Sequence, residues 1–353
     1  MKSAIRLVQL LHGSARHVAK VEEPSLRLLG GVESVFELAT DALATGMPLT
    51  QVVEARATSE RLDYDSIYAG ASSWRLLAPV DHPEPSRCLV SGTGLTHYGS
   101  AISRDRMHAA GREASARREA SARDEASAKT ELLTDSMRMF RAGIDGGRPA
   151  NGQCGVAPEW FYKGNGGILR APNEPLVVPG YAEDGGEEAE IAGIYVIDQN
   201  GRPRRVGMAG GNEFSDHKFE KRNYLNLAGS KLRNCALGPE LVLDPDFDQV
   251  PGRVGIERRG AIIWEREIAT GEREMCHSVA NLEHHHFKFE GHRRPGDLHV
   301  HYYGAHSLSY ADDVLLEDGD VMTIQFAGFG RALRNPVTIA EKVHEPLAVQ
   351  PIA

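Results

Sequence analysis

Cysteine is scarce in this chain: its four cysteines (Cys88, Cys154, Cys235, Cys276) stand far apart and include no CxxC pair. That excludes a disulfide framework and a zinc ribbon, and it fits thiols kept reduced in a cytosolic protein. Excess positive charge is also missing, the net charge being -9. Nucleic acids and anionic membranes favour basic patches, so neither is expected as a partner. No stretch is apolar enough to span a bilayer. The segment MKSAIRLVQLLHGSARHVAK lacks the long apolar core and cleavage site of a signal peptide, so a cytoplasmic location is expected. There is no P-loop, no GxGxxG after a strand and no GxSxG. GTGLTHYGSA holds glycines, but not at the spacing of a dinucleotide fingerprint.

What is present is an ordinary soluble composition, 41% hydrophobic and 25% charged over 353 residues. This suffices for one large domain with a smaller one. Residues 1–80 read as a small α/β unit. AIRLVQLL and RHVAKV have strand character, and a helix is predicted from Ser34 to about Thr45, with Ser34 and Glu37 as a capping box and Gly46 as its stop. Pro48 suits the first turn of a second helix, PLTQVVEARA. The proline-rich LAPVDHPEPSRC marks a boundary before a larger region at 86–345. Within that region, residues 113–130 repeat a six-residue alanine-rich pattern three times. Six residues do not match a helical turn, so the alanines form no sustained stripe. A polar exposed helix and a mobile lid both fit. From Gly155 onward short strands alternate with glycine turns; RVGIERRGAIIWEREI reads as a hairpin and VMTIQF as a strand. The expected fold class is α+β: a β-rich roll or sandwich carrying the small N-terminal α/β domain.

Three acids carry the strongest chemical signal. Glu188 and Glu190 in GGEEAEIAGIYVI stand two apart, so on a strand they project to one face. RRVGMAGGNEF reads as a second strand that would end beside them and bring Glu213. Converging carboxylates repel unless a cation lies between them, and all-oxygen ligation suits Mg²⁺ or Mn²⁺. Lys163, set among aromatics in PEWFYKGNGG, and Lys231, before the apolar LRNCALGPELVL, could hold a substrate carboxylate or move a proton. The run LEHHHFKFEGH, with His284, His285, His286 and His292, reads as a polar surface strand and not as a zinc site. Adjacent strand residues face opposite ways and no acid or cysteine completes a zincin pattern. His299 and His301 alternate on one strand face.

Taken in order, these motifs resemble the fumarylacetoacetate hydrolase superfamily over roughly residues 86–340. PEWFYKGNGG is similar to its Phe-x-Lys-Pro segment, with Gly164 where proline is usual. EEAEIAGIYVI resembles its Glu-x-Glu metal strand, and GGNEFSD its Asn-Asp-x-Ser segment, with Glu213 in place of aspartate. SKLRNCALGPELV, RPGDLHVHYYGA and LEDGDVMTIQFAGFGRALRNPV resemble the lysine segment and the two closing strands. One departure stands out. Aligning Gly94-Leu95-Thr96 on the hydrolases' Gly-Leu-Asn-Tyr-x-x-His-x-x-Glu stretch puts His97 on the tyrosine, Ser100 on the histidine and Ser103 on the glutamate. The dyad that activates water there is missing.

The wording of GTGLTHYGSA, NEFSDHKFEKRNYL and SKLRNCALGPEL, with the separate N-terminal unit, is similar to the sugar-acid branch, the 2-keto-3-deoxypentonate dehydratases. That resemblance implies loss of water from such an acid to give 2-oxoglutarate semialdehyde. It implies a homodimer and a divalent ion on Glu188, Glu190 and Glu213. Lys231 is implied as general base or charge stabiliser and Lys163 as the group that orients the carboxylate. His97 or Ser100 would assist the departing hydroxyl, and Tyr303 and Ser307 lie where a substrate-contacting loop belongs. An acylpyruvate or diketo-acid hydrolase and a non-turning oxoacid binder of the same fold are the alternatives.

Overall fold

In the computed structural model, residues 4–105, 134–150, 152–343 and 345–352 are described. The alanine-rich repeat at 113–130 lies outside them. Among the described residues two sheets pack face to face, as expected for a β-rich α+β fold. The larger has twelve strands, and its main path runs Ala57–Asp63, Ser25–Leu29, Ala15–Glu22, Arg6–His12, Cys235–Val242, Pro203–Asn212, Ala189–Ile197, Leu298–Tyr302, Cys88–Gly94, Glu159–Asn165. The smaller has five: Ala261–Thr270, Val250–Arg258, Val321–Phe326, Leu333–Ile339 and Leu176–Val178. Met208, Ala236 and Val242 of the large sheet meet Val254, Ile324 and Phe326 of the small one in a shared core. Ala189–Ile197 is buried at all nine positions, which explains its nearly unbroken apolar run: both of its faces are covered.

The opposite face of the large sheet packs on two N-terminal helices. Val35–Thr45 starts where Ser34 accepts a bond from the Glu37 amide at 3.1 Å and stops at Gly46, whose φ of 69° is left-handed. Such a cap contributes about 1 kcal/mol. The Glu37 carboxylate reaches back to the Glu33 amide and not to Ser34, so the box closes one residue early. Pro48 is the N-cap of Leu49–Arg56, one position before its expected place. The N-terminal strands are not a sheet apart. Arg6–His12 pairs antiparallel with Cys235–Val242, matching Leu7 with Leu241. At that seam the buried Glu240 accepts from Arg6 (2.8 Å), the Tyr64 hydroxyl (3.0 Å) and the Arg331 amide (3.1 Å).

The histidine run departs from expectation. It lies in a helix, Val279–Phe287, capped by Ser278, and not in a strand. The reason is in the flanks: Val279, Leu282 and His286 recur at i, i+3 and i+7 and are all buried, a helical period that the three adjacent histidines obscure. His286 is a core residue. Its Nδ1 accepts from the Trp160 indole at 3.1 Å, so its Nε2 donates to His299 Nδ1 at 3.0 Å. His301, on the same strand face as His299, bonds Ser91 (2.9 Å) and Thr93 (2.8 Å). Burial pushes His299 and His301 down to about 3.

Folding therefore favours neutral imidazoles. Their contribution is complete above the ordinary histidine value of 6.5 and is lost as pH falls toward about 3. Urea midpoints measured from about pH 7.5 to about pH 4 are expected to fall, and to fall less steeply in the His299→Gln, His301→Gln double variant. An equally steep fall in that variant would assign the acid sensitivity to other groups.

Candidate metal centre

The site grows out of one antiparallel ladder. Ala189–Ile197 pairs with Pro203–Asn212 so that Glu190 faces Gly211. Just beyond the ladder's end the Glu213 amide donates to the Glu188 carbonyl at 2.9 Å, and Gly186 bridges Ser215. This register brings Glu213 beside Glu188 and Glu190. Asn212 fixes the crossing: its side-chain oxygen accepts from the amides of Glu188 and Phe214, each at 3.2 Å. The close approach needs glycine, since a Cβ on Gly211 would stand 2.6 Å from the Tyr302 ring and 2.9 Å from the Ala236 carbonyl.

One oxygen of each of Glu188, Glu190 and Glu213 lies within 4.8 Å of the others, and all three residues are buried. Their environments differ. Glu188 Oε1 accepts from Lys231 at 2.5 Å and lies 3.0 Å from His217 Nε2. Burial opposes its ionisation, but Lys231 and His217 outweigh it and hold Glu188 well below the usual carboxylate range. Glu213 is bound by both Lys163 and Lys231 and accepts from the Ser215 hydroxyl at 3.1 Å. Glu190 has no ion pair among the described residues; its Oε2 takes the Gly304 amide at 2.7 Å. Burial, and then the charges of Glu213 and Glu188, push its carboxyl well above the usual range. Gly304 offers that amide from a φ of 101°, where a side chain would be strained and would collide with Thr96. A divalent cation fits this donor set: oxygen only, buried, and with one carboxyl short of positive charge.

Lys231, at the end of the short helix Leu227–Ser230, is fully buried. Its ammonium gives its three hydrogens to Glu188, Glu213 and the Ser215 hydroxyl (2.8 Å) and lies 4.6 Å from the centre of the Phe161 ring. Lys163, on Glu159–Asn165, bonds Glu213 and the Phe214 carbonyl (2.9 Å). Both lysines thus join the glutamates. The other expected residues are engaged elsewhere. Thr96 donates its hydroxyl to the Tyr303 carbonyl at 2.7 Å, so it accepts from His97 Nδ1–H at 2.9 Å. His97 Nε2 in turn accepts from Thr270 at 3.0 Å, and burial pushes His97 down to about 3. The Ser100 hydroxyl donates to the His97 carbonyl at 3.0 Å. Tyr303 bonds the Tyr195 hydroxyl, and Ser307 is half-buried.

Several residues of the site escaped sequence reasoning. Glu187 is buried and held by the Ser309 amide (2.7 Å) and hydroxyl (2.6 Å). Arg104, in the helical stretch 98–105, is buried between Glu159 and Glu220. The only signal for Arg104 was its place one residue after the aligned Ser103. Asn212 and His217 lay inside the quoted GGNEFSDH segment without a role.

No protein-family model and no curated protein matches the sequence. Solved structures do match the fold. A 2-keto-3-deoxy-D-arabinonate dehydratase complexed with magnesium and 2,5-dioxopentanoate is 18% identical, with a TM-score of 0.66 over 96% of this chain and 100% of its own. A 2-hydroxyhepta-2,4-diene-1,7-dioate isomerase from Mycobacterium marinum is 18% identical at a TM-score of 0.55, over 96% and 100% of the two chains. A fumarylacetoacetate hydrolase from the psychrophile Exiguobacterium antarcticum is 16% identical at 0.58, again over 96% and 100%. At these identities the likeness establishes the fold.

Replacing Glu190 by Gln removes the carboxyl that has no cationic partner. Mn²⁺ affinity, followed by titration calorimetry, is expected to drop about tenfold or more. The melting temperature is expected to hold or rise, because a buried unpaired acid is gone. Unchanged affinity would remove Glu190 from the ligand set.

Proposed function

We propose that this chain, which has the fold of the fumarylacetoacetate hydrolase superfamily, dehydrates a 2-keto-3-deoxypentonate to 2-oxoglutarate semialdehyde, that is, 2,5-dioxopentanoate. The observation that carries this reading is the buried trio Glu188, Glu190 and Glu213, joined by two lysines. At the positions where the hydrolases carry their water-activating dyad stand two serines whose hydroxyls bond their own helix: Ser100 to the His97 carbonyl at 3.0 Å and Ser103 to the Gly99 carbonyl at 2.9 Å. An elimination has no need of an activated water. The dehydratase of the same fold that was solved with magnesium and 2,5-dioxopentanoate supports the choice of reaction and of ion.

Glu188, Glu190 and Glu213 would hold Mg²⁺ or Mn²⁺, which when bound supplies Lewis-acid stabilisation of charge developing on the oxygens of a 2-oxo acid. The chain's own residues do the rest. Lys231 acts as a fixed positive charge, since its hydrogens are already directed at acceptors and the Phe161 ring backs it. Lys163 orients the substrate carboxylate, exchanging its bond to Glu213 for one to the ligand. Burial keeps water from competing for those bonds. His97, tied to two threonines, holds the loop that presents Gly304 to Glu190, through Thr96 and the Tyr303 carbonyl.

With Mg²⁺ present, the protein is expected to convert a 2-keto-3-deoxypentonate to 2,5-dioxopentanoate, read through a coupled semialdehyde dehydrogenase. Chelation by EDTA is expected to slow turnover about 100-fold or more. Release of pyruvate and an aldehyde would instead assign a carbon–carbon bond-breaking reaction.

A further inference from the structure

Arg104 holds two buried carboxylates with one guanidinium. It donates to Glu159 at 2.5 Å, and Glu159 also accepts the Tyr224 hydroxyl at 2.9 Å. Glu159 therefore has a partner on each oxygen. Glu220 does not. This residue of the short helix His217–Arg222 is fully buried, and its Oε1 lies 2.8 Å from Arg104 Nε. Yet neither of its oxygens accepts a hydrogen bond among the described residues. Buried carboxylates are normally satisfied, and leaving one unsatisfied is costly, so such a group calls for a ligand or a role.

Its position suggests the role. Glu220 lies three residues after His217 on one helix, and His217 Nε2 is 3.0 Å from Glu188. The Glu220 partner Arg104 also holds Glu159, on the same strand as Lys163. Glu220 thus adjoins the glutamate–lysine cluster without belonging to it. The lysine hydrogens are directed at Glu188, Glu213 and Ser215, and both nitrogens of His97 are bound to threonines. Among these groups Glu220 keeps open lone pairs.

We propose that Glu220 is the proton carrier of the reaction, taking a proton from C3 of the bound 2-oxo acid and returning it to the hydroxyl that leaves C4. This rests on the 2-oxo acid reading above. The C3–H electron pair becomes the C2–C3 double bond of the enolate. As the C2 carbonyl re-forms, that pair makes the C3–C4 double bond and the C4–O bond breaks. The oxygen departs with the proton held by Glu220, as water, and the carboxylate is regenerated. The 5-hydroxy-2-oxopent-3-enoate left behind then tautomerises, losing a proton from C5 and gaining one at C3 to give the C4–C5 enol, which becomes the aldehyde of 2,5-dioxopentanoate. Arg104 is the positioning residue, anchoring Oε1 and leaving Oε2 for the substrate.

The test follows hydrogen–deuterium exchange at C3 of pyruvate, in D₂O with Mg²⁺, by NMR. Pyruvate has no C4 hydroxyl, so exchange reads proton removal alone. The parent is expected to exchange. Glu220→Gln is expected to exchange about 100-fold more slowly or less still, with Mn²⁺ affinity and melting temperature unchanged. If the Gln variant does not fold, Glu220→Asp is read instead, with at least about tenfold slower exchange expected at unchanged Mn²⁺ affinity. Exchange at the parent's rate in the folded variant, or none in the parent, overturns the assignment. Exchange that depends on Glu220, in a protein that forms no 2,5-dioxopentanoate, would sink the dehydratase reading while leaving Glu220 in its role.

Discussion

Like charge brought together away from water is the constraint that organises this molecule. A carboxylate in a dry interior must find a cation or hydrogen-bond donors, or take up a proton. Here an antiparallel ladder delivers three glutamates to one buried point, and the surroundings answer each differently. Glu188 has a lysine and a histidine, Glu213 two lysines, and Glu190 a single backbone amide. The asymmetry has chemical meaning. A site whose acids were all fully paired would resist a metal ion, and one with none paired would not fold. With one carboxyl short of charge, the trio is held in place by its lysines and still has the donor set to take a divalent ion.

The same economy explains residues that seem minor in isolation. Asn212 ties the two strands together where they end, its oxygen accepting from the Glu188 amide across the ladder and from the Phe214 amide two residues on, where the backbone turns through a φ of 33°. Gly304 is a glycine because its amide must face Glu190 from a left-handed backbone pressed against Thr96. The two sheets and the N-terminal helices supply the dry walls: Ala189–Ile197 could not carry Glu190 in a buried position unless both of its faces were covered.

The legibility of this design in the sequence was uneven, for physical reasons. Glu188 and Glu190 were readable because a strand repeats every two residues, and Glu213 because a second apolar run ended just before it. The first helix was readable from its cap and its glycine stop. The histidine helix was misread because its polar centre hid an apolar period carried by Val279 and Leu282, and because histidine can be buried when neutral. Arg104, Glu159 and Glu220 were not legible. Each looks like an ordinary surface charge, and only folding brings residues 55 positions apart into contact, as with Arg104 and Glu159. The threonine clasp on His97 is likewise a tertiary fact, drawing on Thr96 next door and on Thr270, 173 positions away.

The seam at Glu240 has a consequence of its own. Arg6–His12 pairs with the end of Cys235–Val242, Arg6 opposite Val242 and Leu7 opposite Leu241, so the N-terminal strands cover that end of the strand while Leu169–Arg170 pairs with its start. Cutting the chain after residue 80 would bare the Leu241–Val242 end of a strand that is buried throughout, together with a glutamate stripped of Arg6 and Tyr64. An open margin of that kind templates pairing with other chains. The first 80 residues therefore supply both a strand neighbour and the counter-charge that a buried glutamate of the larger region requires.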